Sequence, residues 1–295
     1  MRLQADARQL PRHGPIPARL IAQWQTGPAM VQPKPSQSTA SPLPFTVHWA
    51  TSADDVRDAQ RLRYRVFVDE LGARLTPPPG TPAGLDADRF DAFCDHLLVR
   101  AAGDECHRRG AVVGTYRVLR PEAGRRAGGL YTETEFDLAP LRHVRSRAVE
   151  LGRSCVHPGW RSGGVIMALW SALGHYMQQH RLETMIGCAS MSISDGGVAA
   201  RRLWAALQTR YLMSPEWRVR PYTPLVLSHS DTSPVHDATA GLPDDTPPLI
   251  KGYLRCGARL LGPPALDQAF NTADLPMIMR LEDLAPRYRK HLLGR

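Results

Sequence analysis

Apolar positions at Val56, Ala59, Leu62 and Val66 recur at helical spacing and predict a helix that starts at Ser52-Ala53-Asp54-Asp55, runs to Glu70 and is stopped by Gly72. A β-rich run, Phe45–Trp49, precedes it. Residues 96–101 and 111–119 are two further β-rich runs across a polar turn at 103–110, the pattern of an antiparallel pair. Residues 147–156 form the next strand. A strong helix then carries Ile166, Leu169, Trp170, Leu173, Tyr176 and Met177 on one stripe. A strand at 184–190 and a short helix at 198–207 follow. Residues 218–227 read as extended, and stretches at 249–256, 259–261 and 274–280 close the domain before a basic terminal helix at 285–293. Residues 76–82 form a proline-rich loop and 121–134 a polar, glycine-bearing one. The whole predicts a mixed sheet covered by helices, in one domain.

Two segments break the pattern. Residues 1–44 hold eight prolines and no sustained periodicity, a composition that cannot bury enough surface to offset its ordering entropy, so a disordered extension is expected. Residues 228–248 read as a flexible, proline-spotted insertion within a domain spanning 45–295.

Charge changes the picture little. The net +9 over 295 residues divides into +4 from residues 1–44, five basic residues against Asp6, and +5 spread over the remainder. No zinc finger, RNA-binding aromatic motif or basic zipper accompanies it, so no nucleic-acid partner is expected. An acidic carrier protein or an anionic bilayer meets a mild basic field equally well. Five cysteines, none in a CxxC pair, fit a reducing compartment and offer no zinc spacing; no metal is expected. No apolar run reaches the roughly 18 residues of a membrane span.

The chemistry concentrates between residues 147 and 178. His157-Pro158-Gly159-Trp160-Arg161-Ser162-Gly163-Gly164 breaks regular structure between a strand and a strong helix. Unpaired N–H groups at such a helix start suit a phosphate. Arg161 would add a charged contact, while Gly163 and Gly164 admit close approach; an ordinary connection reads the same way. In the strand, Glu150, Gly152 and Ser154 share a face and Arg153 points away, unless a bulge at Leu151-Gly152 turns both charged residues towards a cleft. A carboxylate in a β-rich core has its pKa raised, which suits a general base, and a buried Glu–Arg pair is the alternative.

These residues resemble known families. The strand, the Arg161-x-x-Gly164 turn and its helix resemble the acyl-donor core of the GNAT N-acyltransferases, with Ile166 where those enzymes carry glycine or alanine. Arg63-Tyr64-Arg65-Val66-Phe67, with Asp91, Asp95, Arg117, Phe136, Glu150 and Arg153, looks like the acyl-homoserine-lactone synthases over residues 63–156. A closer likeness covers residues 60–280. Phe90-Asp91-Ala92-Phe93-Cys94-Asp95-His96-Leu97, Val113-Gly114-Thr115-Tyr116-Arg117, Glu150-Leu151-Gly152-Arg153-Ser154-Cys155-Val156-His157-Pro158, Ile186-Gly187-Cys188-Ala189-Ser190, Leu249-Ile250-Lys251-Gly252-Tyr253-Leu254-Arg255 and Phe270-Asn271-Thr272-Ala273-Asp274 fall in order. Together they resemble the hemolysin-like GNAT enzymes, the ornithine-lipid acyltransferase family.

The resemblance implies an α/β (α+β) GNAT acyltransferase fold, a mixed, mostly antiparallel sheet flanked by helices. It implies N-acylation of L-ornithine with a 3-hydroxyacyl group from acyl carrier protein, giving lyso-ornithine lipid, with coenzyme A the lesser donor and no resident cofactor. A cytoplasmic enzyme, peripheral at the inner face of the membrane, follows. Acyl-homoserine-lactone-type or other N-acyl amino acid synthesis is the alternative within enzymes, and a non-catalytic carrier-protein- or membrane-binding protein the alternative outside them.

Thioester aminolysis needs a neutral amine, and amino-acid α-amines are largely protonated at neutral pH. Glu150 is the expected base, with Arg153 beside it. N–H donors near residues 153–156 (Arg153, Ser154, Cys155 and Val156) would meet the oxyanion. Cys155 could be a nucleophile, but buried cysteine is the default. Arg63 and Arg117 either clamp a substrate carboxylate or pair with Asp91 or Asp95 to brace loops. Asp95 could instead bind the acceptor amine or cap a turn, and Phe67 joins the substrate-binding set through the resemblance. Lys251 and Arg255 could face an acidic carrier protein or only solvent. Local chemistry assigns Asn271 and Asp274 no role.

Overall fold

The computed structural model describes residues 44–103, 109–226 and 242–293. The proline-rich extension, apart from Pro44, and most of the expected insertion lie outside the described residues. Residues 242–248 are described, and they are not a free loop: Thr246 is buried and Pro248 opens a helix.

Seven strands form the main path of the central sheet: β1 (Phe45–Trp49), β2 (Asp95–Ala101), β3 (Val112–Leu119), β5 (Ala148–Val156), β6 (Thr184–Ser192), β10 (Thr272–Arg280) and β8 (Arg259–Leu260), in that spatial order. β9 (Ala265–Asp267) pairs with β10, and β4 (Phe136–Asp137) with β7 (Arg220–Pro221) form a separate ribbon. Neighbours are antiparallel except β5 and β6, which run parallel. The expected β2–β3 pair is present.

Helices α1 (Ala53–Tyr64) and α2 (Pro121–Arg126) lie on one face; α3 (Gly164–Gln179), α4 (Val198–Tyr211), α5 (Pro248–Cys256) and α6 (Pro286–Leu293) lie on the other. Ser52 starts α1 by accepting the Asp55 N–H at 3.1 Å, and a π-helical turn over residues 65–70 extends it. Residues 121–134 are more ordered than the composition indicates, because Pro121, with no N–H to lose, opens α2 after extended Arg120. α4 also outlasts its expected end at 207, with Leu203, Trp204 and Leu207 packed on β6 and β10. α3 lays Val165, Leu169, Ala172 and Tyr176 against β1–β3 and β5. Gly114 permits that approach: a Cβ there would lie 2.5 Å from Val165 Cγ1.

Two irregularities prepare a site. Parallel pairing of β5 and β6 ends at Glu150↔Ile186, although both strands continue for six more residues. At the crotch a Cβ on Gly187 would stand 2.3 Å from the Leu151 carbonyl oxygen; beyond it the strands part. Against β3, the register passes from Arg117↔Gly152 to Thr115↔Cys155, so Arg153 and Ser154 together oppose Tyr116. The bulge is therefore at Arg153-Ser154 rather than Leu151-Gly152. Arg153 adopts φ +50°, a left-handed conformation that strains any residue but glycine.

Candidate active site

The fork between β5 and β6 opens a cleft of about 730 Å³. Alternation along the strands gives its two ends different characters. From the α1/α2 face come Thr132, Glu150, Cys188, Ser190 and Asp274; from the α3–α6 face come Leu151, Ile166, Trp170, Met191 and Tyr253. The cleft thus passes through the sheet from a polar end to an apolar one. Beyond the fork, the β6-facing backbone edge of residues 152–156 has no strand partner among the described residues, and it is there that N–H donors could meet an oxyanion.

Glu150 lines the polar end and is 5% exposed. Its Oε2 accepts the Tyr131 N–H at 2.7 Å, and its Oε1 accepts the Thr132 N–H at 2.7 Å and the Thr132 hydroxyl at 2.5 Å. Burial raises its pKa against the opposing pull of these three donors. The carboxylate therefore fastens the residue 131–132 loop to β5. Arg153 also reaches the cleft. The bulge lays its guanidinium over the rings of Tyr131 (4.8 Å) and Phe270 (4.6 Å), and its Nη2 donates to Asp88 Oδ2 at 3.0 Å.

Phe67, Arg117, Ser154, Cys155, Val156, Arg161 and Gly163 line the cleft as well. Phe67 meets Phe270 edge-on at 5.7 Å. Cys155 is buried, and burial pushes its thiol up to about 12, so it remains a thiol at neutral pH. Arg161, at the mouth, makes a two-pronged pair with Glu70 (2.5 and 2.8 Å) and donates to the Val156 carbonyl at 3.0 Å. Gly163, at φ +104°, precedes α3, whose first N–H groups receive no side-chain cap.

Four residues expected at the site do not line the cleft. Gly164 begins α3 just behind Gly163. Arg63, fully buried, donates to Asp86 Oδ2 at 2.8 Å and to both Asp91 oxygens at 2.9 and 2.7 Å. Burial would raise the Asp91 carboxyl, but Arg63 and then Arg117 outweigh it and hold it well below the usual range. Arg117 bonds Asp88 at 2.7 Å and Asp91 at 3.1 Å. Three arginines and three aspartates thus balance one another beneath the site, which brings Arg63 and Asp91 to the bracing alternative. Asp95 pairs with Arg120 at 3.1 Å and accepts the Tyr176 hydroxyl on the helical face.

Sequence reasoning left a second acidic group without a role. Asp274, 3% exposed on β10, faces the cleft beside Ser190, its partner across the ladder, and accepts the Thr272 hydroxyl at 2.8 Å. Ligand atoms of Glu135, Cys188 and Asp274 lie within 4.8 Å of one another. Both Glu135 oxygens are shut off from solvent and accept no hydrogen bond of good geometry. Burial, then the charges of Asp274 and Asp267, push the Glu135 pKa up; burial and Asp267 do the same to Asp274. The Tyr131 hydroxyl donates to Asp267 at 3.2 Å. Asp267 and Asp274 line the cleft with Glu135 buried behind them, an acidic wall that invites a cation. A buried acid amid the apolar run of β10 was the available signal for Asp274; nothing local marked Glu135.

No helix among the described residues is long and apolar enough to cross a membrane. A family model described as an acetyltransferase (GNAT) domain matches residues 62–171. The L-ornithine N(alpha)-acyltransferase of Rhodobacter capsulatus is 36% identical over 254 residues, covering 85% of this chain and 95% of that protein. Its namesake from Agrobacterium fabrum is 38% identical over 248 residues, 83% of this chain and 84% of that protein. Among solved structures, the AHL synthase LasI aligns at 13% identity with a TM-score of 0.47, over 85% of this chain and 95% of that one. With its sheet forked at β5 and β6 and both relatives matched over more than four-fifths of each chain, the chain belongs to the L-ornithine N(alpha)-acyltransferase family of GNAT-fold acyltransferases.

Proposed function

We propose that this acyltransferase moves a 3-hydroxy fatty acyl group from acyl carrier protein to the α-amine of L-ornithine, giving the lyso form of ornithine lipid. One observation carries the reading: a single cleft has an acidic wall on one face of the sheet and an apolar wall on the other, joined at the β5/β6 fork. A dicationic amino acid and a fatty thioester entering from opposite faces meet there. The names of the relatives support ornithine as the acceptor.

Asp267 and Asp274 seat the acceptor's ammonium groups with Glu135 buried behind them, and Arg153 and Arg117 attract its carboxylate. The raised pKa of Asp274, which lines the cleft, lets it take the proton that frees the amine for attack. Glu150, committed to Tyr131 and Thr132, holds the loop that closes this wall. Nitrogen attacks the thioester carbon, and the oxyanion is met by N–H groups on the unpaired edge of residues 152–156. The C–S bond then breaks, and the departing sulfur takes up a proton. The phosphate of the donor's arm approaches Arg161 and Gly163 at the start of α3. Ile166 lines the cleft where GNAT turns usually carry glycine or alanine, which favours a carrier-protein arm over the bulkier coenzyme A. Lys251 and exposed Arg255 offer that acidic carrier a basic contact, and the product's destination makes the enzyme peripheral to the cytoplasmic leaflet.

The test offers purified protein the acyl-carrier-protein and coenzyme A thioesters, each with ornithine, lysine or S-adenosylmethionine, and identifies products by mass spectrometry. Acyl-ornithine formed from the carrier-protein thioester supports the reading. Product from coenzyme A alone overturns the donor, and an acyl-homoserine lactone or no amide overturns the function. Flotation with anionic liposomes tests the membrane contact, and protein left in the dense fraction refutes it.

A further inference from the structure

The apolar end of the cleft does not simply run out. It stops at Trp170 of α3 and Tyr253 of α5, whose rings stack 5.5 Å apart at 30°. Tyr116 of β3 completes the barrier, its hydroxyl in contact with that of Tyr253. Behind the barrier lies a second, apolar space of about 30 Å³, lined by Leu173, Met185, Met279, Leu284 and Leu292. The two spaces share four wall residues: Tyr116, Leu151, Trp170 and Tyr253. One layer of aromatic side chains therefore separates the large cleft from a small reserve of room lined by hydrocarbon.

The layer is held by shape. The Trp170 indole nitrogen is buried and interacts with the Tyr116 hydroxyl without a well-aligned hydrogen bond, so packing against the Tyr253 ring does most to set its position. Residue 252 has to be glycine for the stack to form, since a Cβ there would lie 2.5 Å from Trp170 Cη2. Beyond this space, α6 comes so close to α3 that a Cβ on Gly174 would stand 2.1 Å from the Leu292 carbonyl oxygen. Helix α6 is thus the back wall of the reserve, and its approach leaves the aromatic layer as the first obstacle a hydrocarbon tail meets.

We propose that Trp170, stacked on Tyr253, is the end stop for the acyl chain and sets the longest chain the enzyme accepts. The space behind it is the one into which a longer chain extends once the indole is removed. This rests on the acyl-transfer reading of the cleft, and it names the residue that gives that reading its chain-length selectivity. The acidic wall lies on the opposite face of the sheet, so changes at Trp170 leave recognition of the amine untouched.

The test compares wild type with Trp170→Phe and Trp170→Ala across a ladder of saturated acyl thioesters of increasing length. It reads kcat/KM for each length, the KM for ornithine, and thioester affinity by calorimetry without the acceptor. A buried methylene contributes about fourfold to affinity, so two carbons accommodated in the enlarged cavity are worth about 15-fold. In Trp170→Ala the ratio of long-chain to short-chain kcat/KM should rise by about that factor for an extension of two carbons. Trp170→Phe should lie between, and the ornithine KM should hold. Trp170→Phe carries the test if the alanine variant does not fold. A folded variant that loses activity equally at every length, or keeps the wild-type length profile, overturns the proposal. If thioesters bind with a length limit that shifts in the variants while no amide forms, the acyl-transfer reading fails and the end stop stands; turnover with an unshifted limit is the reverse.

Discussion

Removing the Glu150 charge separates two accounts of the proton's path. Glu150→Gln keeps the shape of the side chain but leaves one oxygen where the native residue has two, each occupied. With the amide oxygen towards Thr132, the new NH2 faces the Tyr131 N–H, donor against donor. A buried donor stranded in this way costs about 1–3 kcal/mol. If that cost displaces the residue 131–132 loop, turnover falls by about 5- to 150-fold, at about 1.4 kcal/mol per decade. A lost general base costs about 10²–10⁴. The magnitudes overlap, so the deciding measurement is the pH dependence of kcat/KM, followed by release of free thiol. A base that must be ionised produces a fall in rate on the acid side. That limb should persist in Glu150→Gln and vanish in Asp274→Asn, which takes the base while leaving every Glu150 contact in place. An acid limb abolished by Glu150→Gln and retained by Asp274→Asn would return the base to Glu150 and refute the assignment.

Three further outcomes follow from the geometry. Asp91→Asn strips Arg63 and Arg117 of a shared buried counter-charge and should cost about 3–5 kcal/mol in denaturant unfolding, with a loss under 1 kcal/mol contradicting the network. Arg153→Gly loses the guanidinium but relieves the left-handed strain that Arg153→Ala retains, so the glycine variant should be the more stable by about 1 kcal/mol while both lose activity; equal melting temperatures would count against the strain. Because burial raises the Glu135 pKa in the folded state, the unfolded chain binds fewer protons between the two pKa values, and this group's contribution to stability falls as pH rises from about 4.5 to about 8. Glu135→Gln should therefore raise the melting temperature more at pH 8 than at pH 5, and the opposite order would exclude a raised pKa.

Much of the architecture was already legible in local pattern. The α1 and α3 stripes, the β2–β3 alternation and the strand at residues 147–156 arise from periodicities of 3.6 and 2, which act between neighbours along the chain. The same range of interaction explains why Gly163 could be picked out at the start of α3. Its limits show at residues 121–134, where Pro121 opens a helix that polar composition concealed, and at the bulge, whose position depends on how β5 must align with β3. Sequence by itself determined that an acid, an arginine and a possible bulge stand together on one strand before an uncapped helix. Only the tertiary structure decided what each side chain is committed to. Arg63 and Asp91 satisfy one another below the cleft, Glu150 is taken up by the 131–132 loop, and Glu135, Asp267 and Asp274 converge from three separate segments. The reason is physical: a buried charge acquires its partner and its pKa from whatever the fold brings within a few ångströms of it, and residues far apart in sequence carry no local trace of that meeting.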